Sequence, residues 1–220
     1  MVESKAWDWS KNESNKWLNP SLESCYLAES WKSKGFKKFL DLGCGLGRHS
    51  IYFAQKGYEV SSVDLSDYGI NHLKNWADKE KLNITTYVCD MDHLPFNDSA
   101  FDCIIAYNVI YHTDIEGFIK SLHEISRVLK DKGELFITLL SKNSLAYQNA
   151  DKNKHIDGNT ILRDEDDTER NVPHLYIDIN DIKKFFVEFN LINDTVEQIN
   201  YDIEGNERMS RHFNLIVRKK

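Results

Sequence analysis

The sequence predicts an α/β fold built on a doubly wound, mostly parallel sheet, and three observations carry that prediction. Apolar strand-like runs alternate with amphipathic helical patterns from residue 36 to residue 140. A glycine-rich turn at residues 43–47 lies between the first of these strands and the helix that follows it. Near the C-terminus two strand-like segments are joined by a glycine turn at residues 204–206, which is typical of an antiparallel pair closing the sheet.

Each element follows from its hydrophobic period and from the signals at its ends. Helices are predicted over residues 21–33, 46–56 and 67–81. A long fourth helix is predicted to begin at a capping box at residues 113–116 and to end at residues 130–133, and a fifth helix is predicted to begin after Asp178. Strands are predicted over residues 36–41, 58–64, 84–89, 101–107, 134–140, 191–201 and 208–218. The fourth strand is almost wholly apolar, as expected of a central strand buried on both faces.

Size and composition point to an ordinary globular protein. A chain of 220 residues, with 29% charged and 41% apolar residues, is most simply one domain with a small appended element. No apolar run approaches the roughly 18 residues that a membrane helix needs, and the first residues are polar and aromatic. We therefore expect no membrane association and a cytoplasmic location.

The net charge and the cysteine spacing limit the kinds of ligand and partner that the sequence predicts. The four cysteines lie far apart without a C-x-x-C pair, so neither a disulfide framework nor a zinc site is predicted. The net charge is −7, and no basic block is longer than residues 218–220, which disfavours nucleic acid as a partner. A small-molecule partner is favoured.

The glycine-rich turn has the properties of a ligand-binding loop. Glycine permits positive φ angles and close approach of a ligand to the backbone, and the helix N-terminus after it favours an anionic group. A dinucleotide fingerprint requires G-x-G-x-x-G, but the sixth position counted from Gly43 is Arg48. A P-loop requires G-K-[S/T], but Gly47 is followed by Arg48 and His49. A plain tight turn remains the alternative.

Three stretches resemble the class I S-adenosylmethionine-dependent methyltransferases. Residues 41–47, DLGCGLG, resemble the acid-x-G-x-G-x-G loop of that family's first motif. Residues 93–102, HLPFNDSAFD, are similar to the L-P-F and F-D segment of its broad small-molecule, type-11-like branch, and residues 124–135 to its helix and strand after the fourth motif. The resemblance spans residues 36–140. It implies a Rossmann-like seven-stranded sheet of order 3-2-1-4-5-7-6 with strand 7 antiparallel.

The resemblance also implies S-adenosylmethionine as the cofactor and assigns contacts to it. Asp41 would face the cofactor's ammonium group, and Gly43 and Gly45 would let the chain pass close beneath it. Asp90 would bond the adenine amino group while Met91 packs on the ring, although Asp90 is also explained as a loop cap. The predicted cofactor-binding residues are Asp41, Gly43, Cys44, Gly45, Arg48, Asp64, Leu65, Asp90, Met91, Asp92, Asn108 and Val109.

The position of Asp64 in the sequence gives a separate argument that it binds a ribose. It closes the second predicted strand about 20 residues beyond the glycine loop, where a carboxylate accepts hydrogen bonds from the hydroxyls of a ribose. NAD and S-adenosylmethionine both carry such a ribose, so Asp64 supports a nucleoside without choosing between them. An N-cap role for Asp64 is weakened because Ser66 and Asp67 are available as caps.

The segment after the fourth strand contains the predicted catalytic residues. Amino-group methyltransferases of DNA carry Asn or Asp, two prolines and an aromatic residue here, but this chain has Val109 and Ile110 in place of the prolines, which argues against nucleobase methylation. Methyl transfer by an SN2 step depends mainly on alignment of the reactants. If the acceptor must lose a proton, His112 is the candidate base and Tyr111 the residue that orients the acceptor. A helix-capping role for His112 is the alternative.

The predicted organisation is an N-terminal arm and helix at residues 1–35 and a methyltransferase domain at residues 36–220. The arm contains Trp7, Trp9 and Trp17, which either pack loosely or cover a pocket beside the cofactor. Residues 141–173 break the pattern and form either a lid-like insertion over the site, which we favour, or a mobile excursion. Arg163, Arg170, His155 and His174 are candidates for substrate contact there, although each, as a single residue, is more simply explained as a solvated side chain.

The predicted function is transfer of the sulfonium methyl group of S-adenosylmethionine to a nucleophilic atom of a small molecule. Two other classes stay open at this point. One is a non-catalytic cofactor-binding or regulatory module. The other is a nicotinamide-dependent oxidoreductase, which the early third glycine and the closing hairpin oppose.

Overall fold

The structure of the protein, a computed structural model, describes residue 2 and residues 5–11, 15–163 and 172–220. Its α-helices are α1 (Leu22–Ser33), α2 (Arg48–Gln55), α3 (Asp67–Glu80), α4 (Ile115–Val128), α5 (Leu145–Gln148) and α6 (Ile179–Phe185). Its strands are β1 (Lys38–Leu42), β2 (Glu59–Asp64), β3 (Ile84–Val88), β4 (Phe101–Ala106), β5 (Leu129–Ser141), β6 (Thr160–Arg163), β7 (Val172–Ile177), β8 (Phe189–Leu191), β9 (Val196–Gln198) and β10 (His212–Lys219).

The main sheet has the strand order β3-β2-β1-β4-β5-β10-β8. The first five strands are parallel, and β10 runs antiparallel to both β5 and β8. This confirms the predicted order 3-2-1-4-5-7-6, with β10 as strand 7 and β8 as strand 6. Because the five parallel strands end at the same edge, the loops that follow them lie side by side there.

Additional strands extend the sheet next to that edge. The last residues of β5 pair in parallel with β7, and β6 forms an antiparallel hairpin with β7. The predicted insertion at residues 141–173 therefore contains α5, β6 and the start of β7. Arg170, one of its proposed substrate contacts, lies outside the described residues.

Two local predictions about strands were wrong. The strand expected over 191–201 is divided into β8 and β9, whose pairings with β10 differ in register by two residues. Asn193 and Asp194 lie in the gap, and both residue types are depleted in strands. The helix stop expected at 130–133 belongs to β5, which follows α4 directly and pairs with β4 through a register shift.

The predicted capping box at residues 113–116 was also wrong. The N-cap of α4 is Asp114, whose carboxylate accepts a hydrogen bond from the backbone N–H of Gly117. The capping role of Asp178 in α6 is confirmed, with a capping box completed by Asp181.

Apolar layers on both faces of the sheet hold the strands in place. On one face, Trp31 of α1 packs against Phe39 of β1 and Phe53 of α2, and the last two rings stack 3.8 Å apart. Each of these side chains is fully buried. Helix α1, grouped with the N-terminal arm in the sequence analysis, is thus continuous with the core of the sheet.

No helix within the described ranges is long and apolar enough to cross a lipid bilayer. The cytoplasmic location stays a prediction.

Candidate active site

A cavity of about 410 Å³ lies at the carboxyl edge of the parallel strands, within the size range of small-molecule sites. Its wall is formed by the loops after β1 to β4, by the N-terminal arm, by the β6–β7 hairpin and by the start of β10. Most of the predicted site residues line it: Gly43, Cys44, Arg48, Asp64, Leu65, Asp90, Met91, Asn108, Val109, Tyr111 and His112. The other three, Asp41, Gly45 and Asp92, do not line it.

The glycine loop is shaped so that side chains are excluded from it. Gly43 and Gly45 have φ angles of +69° and +54°, which disfavour any residue with a Cβ. A Cβ on Gly43 would lie 2.2 Å from Cγ2 of Val109, and one on Gly45 would lie 2.4 Å from Cζ2 of Trp9. Neither position has space for a side chain, because Val109 packs against Gly43 and Trp9 packs against Gly45.

Asp64 is held at the end of β2 by backbone donors. Its Oδ2 accepts a hydrogen bond of 2.7 Å from the N–H of Gly45, and its Oδ1 accepts one of 2.8 Å from the N–H of Ser66. Burial raises the pKa of this carboxyl, and the backbone hydrogen bonds oppose that shift. Ser66, not Asp64, is the N-cap of α3. The carboxylate thus bridges the glycine loop and the loop after β2, in the place predicted for a ribose contact.

Asp41 does not occupy the predicted position facing the cofactor. Its side chain is 1% exposed and accepts a 2.5 Å hydrogen bond from Oγ of Ser50 in α2. Ser50 in turn accepts one from Oγ of Ser62 in β2. Burial raises the pKa of Asp41 to about 6 despite the hydrogen bond from Ser50. Asp41 therefore supports the glycine loop from below.

The turn after β4 is fixed by a pair of hydrogen bonds to β5. Asn108 has the left-handed φ of +55°, which asparagine tolerates better than most residues. Its backbone N–H donates to Oγ1 of Thr138 at 2.7 Å, and that hydroxyl donates to Oδ1 of Asn108 at 2.9 Å. The turn directs Tyr111 and His112 toward the cavity.

The aromatic residues of the N-terminal arm cover the cavity. Trp7, Trp9 and Trp17 all line it, and the ring of Trp9 lies 6.2 Å from that of Trp7 and 5.4 Å from that of Trp17. Arg48 holds this arrangement, since its guanidinium lies 5.0 Å from the ring of Trp17 and 5.0 Å from that of Tyr107. It also donates to the backbone carbonyl of Lys16 at 3.1 Å, so Arg48 attaches the arm to the domain.

Three histidines, His112, His174 and His212, surround Tyr111 in the wall of the cavity. The ring of His112 lies 4.9 Å from that of His174 and is stacked on Trp7 at 5.5 Å. The hydroxyl of Tyr111 lies 3.4 Å from Nε2 of His212. Burial, and next the charge of Arg163, lower the pKa of His112 to about 3 and that of His212 to about 4. The histidines are therefore neutral at pH 7.

A neutral His112 with so low a pKa is a weak general base, because proton transfer is most effective when the pKa lies near the working pH. The alternative capping role is filled by Asp114 instead. His112 is placed to contact an acceptor as a neutral ring, and its role as a base stays a prediction.

Residues far from the glycine loop complete the wall. Arg163 and His174, which the sequence suggested as substrate contacts, both line the cavity, whereas the ring of His155 packs against Tyr147 at 5.5 Å. Ser210 and His212 were missed. One sequence signal could have found them. A strand that pairs antiparallel with a parallel strand begins at the edge of the sheet where that neighbour ends, so residues at the start of the last strand lie at the carboxyl edge.

The fold and the cavity together define the class of protein, a Rossmann-like α/β protein with its site at the carboxyl edge of the sheet. Residues 39–133 match a family model described as a methyltransferase domain. The chain is 32% identical over 131 residues to the ubiquinone biosynthesis O-methyltransferase of Coxiella burnetii, covering 59% of this chain and 54% of that protein. It is 35% identical over 96 residues to the methyltransferase YodH of Bacillus subtilis, covering 44% and 40%.

Solved structures agree with this assignment of the fold. A SAM-dependent methyltransferase from Methanosarcina mazei superposes with a TM-score of 0.70 at 21% identity, covering 83% of this chain and 92% of that one. Residues 39–133 thus form a class I methyltransferase domain whose cofactor class is S-adenosylmethionine. The chain spans about half the length of the curated relatives that it matches.

Proposed function

We propose that this protein transfers the methyl group of S-adenosylmethionine to a nucleophilic atom of a small molecule. One observation carries the proposal. The loops after four neighbouring strands bring Gly43, Asp64, Asp90 and Asn108 to the wall of a single cavity. A nucleoside joined to an amino-acid chain requires contacts of these kinds along its length, and Gly43 presents its backbone to the cavity without a side chain.

The chain's own residues bind, orient and exclude water. Asp64 would hold the ribose hydroxyls, and Asp90 with Met91 would hold the adenine, in the assignments that the family resemblance gives. When bound, the cofactor supplies an activated methyl group with a good leaving group. The tryptophans of the arm cover the reacting region, and excluding water there strengthens electrostatic contacts and prevents side reactions.

A small molecule is the acceptor class that suits the cavity. Its wall includes Trp7 and Trp9 of the arm and Arg163 and His174 of the β6–β7 hairpin, and its volume of about 410 Å³ lies in the range of small-molecule sites. Residues 141–173 would act as the lid predicted from the sequence, since Arg163 comes from this segment and reaches the cavity. Tyr111 and His112 would then position the acceptor.

Calorimetry with S-adenosylmethionine, S-adenosylhomocysteine and NAD tests the cofactor assignment. We expect the first two to bind and NAD not to bind. Asp64→Ala removes the carboxylate and should abolish measurable cofactor binding, and Gly45→Val should do the same by filling the loop. Asp67→Ala is the matched control, because Asp67 is an exposed acid three residues along that does not line the cavity. Binding of NAD, or equal losses in the Asp64 and Asp67 variants, would refute the assignment.

Activity is measured as formation of S-adenosylhomocysteine in the presence of a panel of small-molecule acceptors. Turnover that requires both Asp64 and an acceptor supports the proposal. Tight cofactor binding with no turnover across phenols, amines, thiols and carboxylic acids would favour the non-catalytic module instead.

A further inference from the structure

The cavity has two chemically different ends. At one end, next to β2 and β3, lie the carboxylates of Asp64 and Asp90. They are the only acidic side chains among the described residues of the wall. At the other end, next to β5 and β10, the wall is formed by Arg163, Ser210, Tyr111, His112, His174 and His212. The protein as a whole carries a net charge of −7, so a basic end to the cavity is not a consequence of composition.

Arg163 supplies the permanent charge at this second end. Its Nη1 lies 3.5 Å from Oγ of Ser210. Arg163 lines the same cavity as His112, His174 and His212. After the larger effect of burial, its charge contributes to lowering the pKa of all three histidines. The three histidines come from three different parts of the chain, and the fold brings them together only here.

The histidines add hydrogen-bonding groups without adding charge. Nδ1 of His174 lies 3.0 Å from the backbone carbonyl of Val172 and must carry the proton in that hydrogen bond. No group of three His, Cys, Asp or Glu side chains in the described part of the chain is placed to hold a metal ion. The arrangement is therefore a polar recognition surface that includes the guanidinium of Arg163.

We propose that the methyl acceptor is a small organic acid whose carboxylate is held by Arg163 at this end of the cavity. The inference rests on the proposed function, because it assigns the second end of the cavity to the acceptor. Guanidinium binds a carboxylate through two parallel N–H donors, which fixes the orientation of the ligand as well as its position. The carboxylate is the anchoring group, and the nucleophilic atom lies elsewhere on the acceptor.

The ring of Trp7 completes this recognition surface. It is stacked on His112 with an interplanar angle of 29°, and both rings line the cavity. A planar acceptor body would find an apolar wall here and a cation at Arg163. Aromatic acids have this combination of a flat apolar body and a terminal carboxylate.

The test uses benzoate and benzamide as probes, because they share a shape and differ in charge. Each is titrated into the protein saturated with S-adenosylhomocysteine, so that the cofactor end of the cavity is filled. We expect benzoate to bind at least tenfold more tightly than benzamide. Arg163→Gln should weaken benzoate binding by about 10- to 100-fold, as expected for the loss of a charged hydrogen-bonding partner. Arg163→Lys should fall between the two because it keeps the charge without the planar fork.

Arg208→Gln is the matched control, since Arg208 is an exposed arginine in the neighbouring hairpin that does not line the cavity. Its benzoate affinity should stay within twofold of the wild type. Equal binding of the two probes, no binding of benzoate, or equal losses in the Arg163 and Arg208 variants would overturn the inference. The probe comparison on the wild-type protein decides the question even if an Arg163 variant fails to fold.

The experiment separates this inference from the proposed function. Cofactor binding is measured first, on the same protein, and does not involve Arg163. If S-adenosylhomocysteine binds but benzoate and benzamide do not differ, the acceptor inference fails and the methyltransferase proposal stands. If S-adenosylhomocysteine does not bind, the methyltransferase proposal fails, and the benzoate titration is then carried out on the protein alone. Binding that Arg163→Gln abolishes would identify an acid-binding site of another function.

Discussion

Replacing Trp9 by alanine is expected to accelerate release of bound cofactor while leaving the domain folded. Trp9 lies over Gly45 and contacts the rings of Trp7 and Trp17, at centroid distances of 6.2 and 5.4 Å. An aromatic pair contributes about 0.5–1.5 kcal/mol beyond the burial of its area. Trp7 and Trp17 belong to the same arm, so losing both pairs removes about 1–3 kcal/mol from the packing that keeps the arm ordered over the glycine loop.

The lost packing free energy sets the expected change in the rate of cofactor release. Because the arm forms one wall of the cavity, its opening lets a ligand leave, and the opening equilibrium shifts by the free energy that the substitution removes. Since about 1.4 kcal/mol corresponds to a factor of ten, we expect release to become about 5- to 150-fold faster. The core of the sheet does not include Trp9, so the thermal midpoint should change little.

Release is measured by loading the protein with radiolabelled S-adenosylmethionine and chasing with excess unlabelled S-adenosylhomocysteine. Trp76→Ala is the matched control, because Trp76 is also half-buried but lies on α3 outside the cavity wall. A release rate for Trp9→Ala within twofold of the wild type, or an equal acceleration in Trp76→Ala, would refute the role of the arm.

Two further predictions concern the glycine loop and the residue beneath it. Gly45→Ala should lower the free energy of unfolding by about 1–2 kcal/mol, because residue 45 has a positive φ. The loss should be larger in the wild type than in a Trp9→Ala background, because the added methyl group meets Trp9. Equal losses in a double-mutant cycle, measured by chemical denaturation, would contradict this. For Asp41, the unfolded carboxyl ionises near pH 3.8 and the folded one near 6, so the folded state holds more protons between these values and stability falls as pH rises through that window. Between pH 3.5 and pH 7, the unfolding free energy of Asp41→Asn should therefore rise by about 3 kcal/mol relative to that of the wild type. Parallel curves of unfolding free energy against pH for the two proteins would disprove this.

The part of the fold that sequence predicted well is the part that local signals determine. The segments β1–α2, β2–α3 and β4–α4 each combine an apolar run, a loop and an amphipathic helix, so their elements and their order follow from period and end signals. The position of Asp64 illustrates this. A carboxylate at the end of a parallel strand must lie at the carboxyl edge, and the structure places it there.

How deeply each side chain at that edge is buried could not be predicted from the sequence in the same way. Asp41 also ends a parallel strand, but its side chain points below the loop, where Ser50 of α2 and Ser62 of β2 complete a buried hydrogen-bonded group. Which side of the loop a carboxylate faces depends on partners from two other elements. The same holds for Arg48, whose guanidinium is engaged by the arm residues Lys16 and Trp17.

The two ends of the cavity differ in how far apart their residues lie in the chain, and this explains why the cofactor was easier to predict than the acceptor. The cofactor end is built from consecutive strand–loop–helix units, and the family match over residues 39–133 covers those units. The acceptor end combines the arm with Arg163, His174 and His212, which only the closing strands bring together. These residues lie outside the matched region, so the family match carries no information about them. Knowledge of a relative's substrate therefore carries little information about this chain's acceptor, and the charge of Arg163 carries more.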